Sequence, residues 1–559
     1  MKARYVLSAV ALGFGLVAVL LLLLMRAVPL ARADPGIYYV RQGAIGNCLS
    51  AGTACGGVQQ AINLATSPGD EVWVATGIYT ENLEINHSVK LRGGWDNSFT
   101  VQDPASSPTI LDGGGDHNVR VRYAPQAEVT VEGFALRHGQ DGIHIWTGNV
   151  TVERCAILDV NKQGFEIDGG TVVISTTQIL TAQQGIEVDD GIVQVADVHI
   201  AHTNREGLLI EQGGTVTFTG STIKDCGQEG VQVENGNLWL FDNYIHDVIS
   251  DGIRIEAAAS ASIISNVVRA VAENPGEDYH GIQIDGDQLV RGNLVTDVDD
   301  RGICARKGAP TIENNTVSDV GGDGIRTAAT CTDVEIRGNT VYSAGNDCID
   351  ARGATVIVAG NTVTGCADNG IKADLIGSWV RLDANWGLNN PVGIAIRDAP
   401  VFTLTNNVVG DSITTGVELA GTGMGFVYHN TLVGGGTGRQ GTGLVVLDPL
   451  AATLANNIVV SHDVGITKTA GASLDVSYTM LWGNGSDPIS GTGVITQAPL
   501  FVAPASQDYH ILRDSPAVDA GIDVGVLTDV DGDPRLTAPD VGADEVVRKV
   551  HLPLVMRAY

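Results

Sequence analysis

Aromatic and basic side chains are scarce in this chain, and both shortages restrict what kind of protein it can be. Phe, Trp and Tyr make up 5% of the 559 residues while 71 residues are glycine, which favours a narrow core with many turns. Lys and Arg number 33 against 64 Asp and Glu, giving a formal net charge of −31. We expect no nucleic-acid partner, because binding to phosphates needs a basic face. The carboxylates favour solubility and cation binding instead.

Long apolar runs are also scarce, and the one that stands out is N-terminal. Lys2 and Arg4 precede an apolar run from Val6 to Met25, and residues 31–33 (Ala-Arg-Ala) form a small-x-small cleavage site. We therefore predict a signal peptide over residues 1–33 and a secreted or cell-surface protein. A run of about 20 apolar residues can also span a bilayer, so its retention as a membrane anchor stays open.

The eight cysteines are compatible with an oxidising compartment. Cys48 and Cys55 are seven residues apart in a glycine-rich stretch, where a local disulfide is expected, although spacing alone does not prove it. For the other six cysteines, disulfides and free buried thiols both stay open. They are Cys155, Cys226, Cys304, Cys331, Cys348 and Cys366.

A unit of the form Gly-apolar-x-apolar returns about every 22 residues and dominates the sequence. Fifteen copies follow one another, mostly 21 to 24 residues apart, and Cys348 takes the glycine position in one of them. The copies begin at Gly142, Gly164, Gly185, Gly207, Gly230, Gly252, Gly281, Gly302, Gly324, Cys348, Gly370, Gly393, Gly416, Gly443 and Gly465.

Two more short apolar segments occur within a period. One resembles residues 172–174 (Val-Val-Ile), and the other follows a turn and begins with Asn, as in residues 315–317 (Asn-Thr-Val). Three short strands in 22 residues predict one coil of a solenoid. We therefore predict an all-β, right-handed parallel β-helix with about 15 regular coils over residues 142–500. Residues 34–141 should form irregular first coils and a cap that includes a helix near Val58–Ala65.

Asparagine recurs at the start of the third strand of the coil. We expect each Asn to adopt the left-handed backbone angles of a tight turn. The stacked amides, about 4.8 Å apart, should also bond along the column. The column is therefore predicted to be scaffold rather than a catalytic site. Its members are Asn243, Asn266, Asn293, Asn315, Asn339, Asn361, Asn385, Asn407, Asn430 and Asn457.

The repeat, together with the segment Gly69–Glu81, which looks like an opening coil, resembles the pectate-lyase-like right-handed β-helix superfamily. The resemblance covers residues 37–500 and implies the fold more strongly than the activity. That fold carries lyases, hydrolases, epimerases and adhesins.

The segment 501–559 resembles the choice-of-anchor segments of surface proteins, and residues 550–557 look like a sorting or anchoring tag. Contact with the cell envelope through either end of the chain is therefore expected. Asp529, Asp531 and Asp533 have the spacing of a calcium loop, but no Glu follows at the twelfth position. A solvated acidic turn is the alternative interpretation.

In each repeat unit the two apolar residues should point inward, and the residues after each of them outward. The second outward row then carries carboxylates on six successive coils: Asp168, Asp189, Glu211, Glu234, Glu256 and Asp285. At its N-terminal end, Glu166, Asp168, Glu187 and Asp189 form a four-carboxylate patch. Such a patch suits calcium. A stripe that binds cationic glycans and a plain solvated acidic face are the alternatives.

A second group of candidate residues combines carboxylates and cations: Asp323, Arg326, Asp347, Asp350 and Lys372. Residues 347–349 (Asp-Cys-Ile) are similar to part of the paired-aspartate motif of the polygalacturonase family. That resemblance implies general acid and base roles for the carboxyl groups. The family's Gly-His-Gly is replaced here by residues 368–370 (Asp-Asn-Gly), so its histidine is missing. The alternative is an alternating ladder of ion pairs.

A lyase would need a base and a group that neutralises a uronate carboxylate. Arg301, Arg306 and Lys307, with His280 at the end of an inserted loop, are the candidate binding residues for such a substrate. We expect a monomeric surface or secreted protein that interacts with extracellular polysaccharide. A lyase or glycoside hydrolase acting on acidic glycans and an adhesive protein without a small ligand are the alternatives.

Overall fold

The computed structural model describes residues 35–122, 126–256, 259–271, 278–435 and 439–546. Most of them lie in short parallel strands that stack coil upon coil, about eighteen coils in all. Each regular coil contributes one strand to each of three ladders, which we call the glycine, middle and asparagine ladders. The two long strands Ile349–Ala359 and Asn369–Asp383 pass through both the glycine and the middle ladder. The all-β solenoid predicted from the repeat is confirmed.

The strands of each ladder follow in chain order. The glycine ladder contains Leu83–Ile85, Val119–Val121, Ile143–Ile145, Gln163–Ile167, Gln184–Val188, Leu208–Ile210, Val231–Val233, Ile253–Ile255, His280–Asp285, Arg301–Lys307, Ile325–Thr327, Ile349–Ala359, Asn369–Asp383, Val392–Ile396, Thr415–Leu419, Thr442–Val446 and Val464–Lys468. The middle ladder contains, besides the two shared strands, Ile37–Val40, Glu71–Ala75, Val89–Trp95, Glu128–Glu132, Asn149–Glu153, Thr171–Ser175, Ile192–Ala196, Thr215–Thr219, Asn237–Phe241, Ser260–Ile264, Leu289–Arg291, Thr311–Glu313, Asp333–Arg337, Val401–Thr405, Met424–Tyr428, Ala451–Ala455 and Ser473–Ser477. The asparagine ladder contains Gly77–Tyr79, Thr109–Asp112, Phe134–Arg137, Ala156–Leu158, Gln178–Ala182, His199–Thr203, Thr222–Cys226, Tyr244–Val248, Val267–Val271, Leu294–Val298, Thr316–Val320, Thr340–Ala344, Thr362–Thr364, Trp386–Leu388, Val408–Ser412, Thr431–Gly434, Ile458–Val460 and Met480–Trp482.

The two apolar residues of the repeat unit fill the core, as predicted. Ile143, Phe165 and Ile186 lie in register on successive coils, and all three are fully buried. Burying one such aliphatic or aromatic side chain contributes about 1.5–3 kcal/mol. Because every coil adds the same inward positions, the core continues along the solenoid.

The glycine of the unit is required by the close approach of neighbouring coils. A Cβ atom on Gly185 would lie 2.3 Å from the carbonyl oxygen of Gly207 and 2.5 Å from Ile200 Cγ2. Both contacts are far shorter than van der Waals separation, so a side chain at this position would push the coils apart. The repeat is therefore marked by glycine for reasons of packing between coils.

The asparagine column forms the predicted ladder of amides, but its backbone differs from the prediction. The Nδ2 group of Asn361 donates to the carbonyl oxygen of Ile336 at 3.0 Å and to Asn385 Oδ1 at 3.0 Å, and the next members repeat this pattern. The left-handed residue is the one before each Asn, such as Gly360 or Ala384, rather than the Asn itself. The preceding residue makes the turn, and the Asn side chain is buried.

The N-terminal cap contains the 3-10 helix Ala51–Thr53 and a short helix, Val58–Ile62, which buries Val58, Ala61 and Ile62 against the first coils. The predicted disulfide between Cys48 and Cys55 is confirmed. A second disulfide joins Cys348 to Cys366, and the remaining four cysteines are free and buried. The proposed signal peptide lies outside the described residues. In the part of the chain that is described, no helix is long and apolar enough to cross a membrane.

The C-terminal segment packs against the outer face of the asparagine ladder. Its elements are an antiparallel pair, Phe501–Ala503 and Asp508–Ile511, joined by the 3-10 helix Pro504–Ser506. Apolar side chains of the ladder and of the segment form one buried cluster: Val408, Val433, Ile458, Val460 and Met480 with Tyr509, Ile511, Ala517, Val541 and Ala543. Residues 501–546 are therefore integral to the solenoid. The anchoring role of the segment stays a prediction, and residues 550–557 lie outside the described ranges.

The acidic turn at residues 529–533 is held together by the side chain of Asp529. Asp529 is buried, and its carboxylate accepts the backbone N–H groups of Asp531, Asp533 and Glu545 at 2.8–3.0 Å. This arrangement stabilises the turn with protein donors. Calcium binding at this turn stays a prediction.

Candidate functional site

A row of polar residues, all buried except the half-buried Arg301, precedes the glycine position on twelve successive coils of the glycine ladder. We call it the pre-glycine row: His117, Asp141, Gln163, Gln184, Glu206, Glu229, Asp251, His280, Arg301, Asp323, Asp347 and Asn369. Four of these residues were predicted as site residues from the sequence: His280, Arg301, Asp323 and Asp347. The whole row could have been recognised in the sequence, because a polar residue precedes almost every repeat glycine up to Gly370.

Aspartates in the pre-glycine row connect consecutive coils. The Oδ1 atom of Asp323 accepts the backbone N–H of Asp347 at 3.2 Å, and Asp347 Oδ1 accepts the N–H of Asn369 at 3.0 Å. Asp251 bonds in the same way to His280, at 2.7 Å. One oxygen of each carboxylate is thus used by the scaffold, which leaves the second oxygen for other partners.

The first functional candidate lies near the N-terminal end of the glycine ladder, on three successive coils. We call it the histidine–carboxylate cluster: His117, Asp141, His144 and Glu166. One donor atom from each of these residues lies within 4.8 Å of the others. His117, Asp141 and His144 are buried, whereas the Glu166 side chain is 28% exposed.

His144 is the centre of the contacts in this cluster. Its Nδ1 lies 3.3 Å from Glu166 Oε2, and its Nε2 lies 3.1 Å from Asp168 Oδ2. Trp146 packs beside the imidazole, and its indole N–H donates a hydrogen bond to Nδ1 at 3.3 Å. The Arg122 guanidinium lies 4.1 Å from the Trp146 ring centroid. The cluster is therefore bordered by an aromatic ring and a cation.

The predicted four-carboxylate patch continues directly from this cluster. Glu166 and Glu187 lie in register on neighbouring strands, as the repeat predicted. Burial, followed by the charges of Asp141, Asp168 and Glu187, raises the pKa of Glu166 to about 7. Burial and neighbouring carboxylates also raise the pKa values of Glu187 and Asp189. A cation or a proton placed in this region would relieve the repulsion.

The second functional candidate is the arginine–aspartate cluster, defined as Arg301, Asp323, Arg326, Asp347, Asp350, Arg352 and Lys372. The structure brings together all five residues that the sequence proposed as catalytic. Arg326, Asp350 and Lys372 are direct neighbours across three strands, as the repeat predicted.

The three aspartates of this cluster are at most 2% exposed, and cations lie over them. Arg352 Nη2 lies 2.8 Å from Asp350 Oδ2, and Lys372 Nζ lies 3.5 Å from Asp347 Oδ2. Burial raises the pKa values of both Asp347 and Asp350, although their hydrogen bonds and the cations oppose the shift. The geometry favours an internal ladder of ion pairs whose cations, 15–29% exposed, form the outer surface. The catalytic role of these residues stays a prediction.

The predicted binding residues divide into two groups. His280 is buried, and its Nε2 accepts from Arg301 Nη1 at 3.2 Å, so the imidazole is neutral. Burial, and then the charge of Arg301, lower the pKa of His280 to about 4. Arg306 and Lys307 are exposed and lie 3.7 and 3.5 Å from the Asp285 carboxylate. The side chains of this second pair are the more exposed of the two groups.

A cavity of about 600 Å³ lies away from both clusters, at the corner that follows the asparagine ladder. His202, Asp225, Asp247 and Asp297 are among its lining residues. If the chain is an enzyme, the sequence predicts a catalytic cleft walled by the loops at residues 273–280 and 434–441. Both loops lie partly outside the described ranges.

Part of the chain matches a known family model, and several solved structures are similar to it. A family model described as "Right handed beta helix region" matches residues 189–286, 240–386 and 280–434. A search of curated protein sequences found no match. Among solved structures, the chain is similar to a mannuronan C-5 epimerase A-module from Azotobacter vinelandii, with 13% identity, 82% of this chain and 100% of that chain covered, and a TM-score of 0.29.

Two further solved structures show comparable similarity. A DFA-IIIase from Arthrobacter chlorophenolicus A6 has 15% identity over 49% of this chain and 84% of that chain, with a TM-score of 0.36. An alginate lyase from Paenibacillus sp. str. FPU-7 has 15% identity over 53% of this chain and 99% of that chain, with a TM-score of 0.31. The family match, together with the three parallel ladders, identifies the fold of this chain as a right-handed parallel β-helix.

Proposed function

We propose that this chain is an exported protein that binds an extracellular polysaccharide along the outer face of the glycine ladder. The observation that carries the proposal is the register of the first outward row, which runs from Glu84 to Thr467 across seventeen strands. A long, repetitive face presents the same kind of contact once per coil, about every 4.8 Å. Such a face suits a polymer better than a small molecule.

Most side chains on this face are polar and reachable from solvent. In the first row these are Glu84, Arg120, Glu166, Glu187, Gln232, Arg254, Arg326, Lys372, Glu418 and Thr467. The N-terminal half of the face is acidic, whereas the exposed edges of Arg301, Arg326, Arg352 and Lys372 make the later part mixed in charge. Polysaccharides have hydroxyl groups along their whole length, and both acidic and basic side chains can form hydrogen bonds with them.

The proposal that the protein is exported rests on the sequence pattern of residues 1–33.

The proposal is tested by blocking one face of the solenoid at a time. Glu234→Cys places a thiol on the glycine ladder face, and Gln194→Cys places one on the middle ladder; both positions are exposed. The free native cysteines that the structure describes are buried, so the engineered thiol is the one that reacts. After coupling of a bulky polyethylene glycol maleimide, binding is measured against neutral, acidic and cationic polysaccharides, with and without calcium.

We expect the polymer at residue 234 to weaken binding at least tenfold, while the same polymer at residue 194 leaves it unchanged. Equal effects at both positions, or no binding to any polysaccharide in the panel, would refute the proposal. The same incubations report reducing ends and the absorbance of unsaturated products. Release of either product would show that the face also cleaves its ligand.

A further inference from the structure

We propose that the histidine–carboxylate cluster binds one divalent transition metal ion of the zinc type. This inference goes beyond polysaccharide binding and does not rest on it. It follows from the way the coil register brings two imidazoles and two carboxylates together on the outer face of the glycine ladder.

The donor atoms converge closely enough for one ion. His117 Nδ1 lies 2.5 Å from Asp141 Oδ2, His144 Nδ1 lies 3.3 Å from Glu166 Oε2, and the four groups fall within 4.8 Å of one another. A tetrahedral zinc ion with bonds of about 2.1 Å separates its ligand atoms by about 3.4 Å. To bind one ion, His117 Nδ1 and Asp141 Oδ2 would move apart by about 0.9 Å, and His144 Nδ1 would exchange its hydrogen bond from Trp146 for the metal.

Two of these atoms contact each other without an aligned hydrogen bond. His117 Nδ1 and Asp141 Oδ2 are buried, and despite their short separation neither makes a hydrogen bond of acceptable geometry. The Asp141 side chain is fully buried and that of His117 is 9% exposed. A buried donor or acceptor left without a hydrogen bond costs about 1–3 kcal/mol, so an ion that binds both atoms would remove this cost.

The outer nitrogens of both histidines face carboxylates. His144 Nε2 lies 3.1 Å from Asp168 Oδ2, and His117 Nε2 lies 3.8 Å from Asp116 Oδ1. Metal-bound histidines usually donate their second N–H to a carboxylate, which fixes the ring and raises its basicity. Asp168 is therefore a positioning residue for the site.

The donor set distinguishes this site from the calcium patch predicted by sequence. Calcium takes oxygen ligands only, and the neighbouring group Glu187, Asp189 and Glu211 has that character. Two imidazole nitrogens instead favour zinc or a related ion. The positive charge would also offset the negative charges of Asp141, Glu166 and Asp168, whose carboxylates surround the two histidines.

The test uses the full chain, stripped with a chelator and then titrated with zinc or calcium by calorimetry, without polysaccharide. We expect one zinc ion per chain and a heat of binding that is lost below about pH 6, where free histidine takes up a proton.

His144→Gln and His117→Gln should each weaken zinc binding at least a hundredfold, and Asp168→Asn should weaken it about ten- to a hundredfold. His138→Asn, which alters an exposed histidine beside Asp112, should leave zinc affinity unchanged.

Anomalous scattering at the zinc edge from crystals of the unaltered protein locates the ion independently of how the variants fold. A peak between His117 and Glu166 supports the inference. Absence of zinc binding would overturn it, as would zinc binding that stays unchanged in both His117→Gln and His144→Gln. Failure of polysaccharide binding would leave these results unaffected, so the two proposals fail separately.

Discussion

Replacing Asn361 by alanine is expected to lower the free energy of unfolding by roughly 3–5 kcal/mol, because it leaves buried backbone groups without partners. The Asn361 Oδ1 atom accepts the backbone N–H of Asn339 at 2.8 Å, and its Nδ2 group donates to the carbonyl oxygen of Ile336 at 3.0 Å. Both partners belong to the preceding coil, and the amide is fully buried. Urea denaturation followed by far-UV circular dichroism measures the loss.

The matched control for this change is Asn149→Ala. Asn149 also begins a strand, but it lies exposed on the middle ladder. Its replacement should change the free energy of unfolding by less than about 0.5 kcal/mol. Similar losses at the two positions would mean that the amide column does not stabilise the coils as described.

Replacing Lys372 by methionine is expected to destabilise the protein by about 3 kcal/mol at pH 7, because breaking a buried ion pair leaves an unpaired charge. Lys372 Nζ lies 3.5 Å from Asp347 Oδ2, and that carboxylate is fully buried. The surface pair of Lys90 and Glu71, at 4.0 Å, provides the control. Lys90→Met should cost less than about 1 kcal/mol.

The cost of Lys372→Met should depend on pH in a defined direction. Burial holds the pKa of Asp347 above its ordinary value, and loss of the lysine charge raises it further. An aspartate whose pKa is higher in the folded than in the unfolded protein stabilises the fold at a pH below its pKa in the unfolded chain, about 3.9. This stabilisation is lost as the pH rises through its pKa in the folded protein. The difference between variant and unaltered protein should therefore be large at pH 7 and shrink towards pH 4. A difference that is constant over this range would contradict the burial of an unpaired carboxylate.

The fold could be predicted because every coil repeats the same requirements. Positions such as Gly185 need the absence of a side chain, and positions such as Phe165 need an apolar one, so both recur visibly in the sequence. The left-handed backbone angles of the turn before the third strand were predicted for the Asn, but the residue before it adopts them. The left-handed position is filled by many residue types, including Gly360 and Ala384, so no single letter marks it.

The sites were predicted in part. The outward rows placed Glu166 beside Glu187 and Arg326 beside Asp350, because strand alternation fixes which side chains are neighbours. His117 and Asp141 were missed because they lie before the glycine, in the turn, where alternation no longer applies. The packing of the C-terminal segment was missed for a different reason. It depends on the outward residues of the asparagine ladder becoming apolar near Val408, a change visible only once the ladder is known.

Cross-linking of engineered cysteines tests most directly whether residues one repeat apart are neighbours. Val173 and Gln194 are partners in register on the middle ladder, and Thr217 is the next residue in the same row. Adjacent coils lie about 4.8 Å apart, within the Cα separation of about 4.4–6.8 Å that a disulfide allows, whereas two coils span about 9.6 Å. Under mild oxidation, Val173→Cys with Gln194→Cys should form the disulfide, and Val173→Cys with Thr217→Cys should not. Equal cross-linking of both pairs, or of neither, would contradict the stacked coils on which both proposed sites depend.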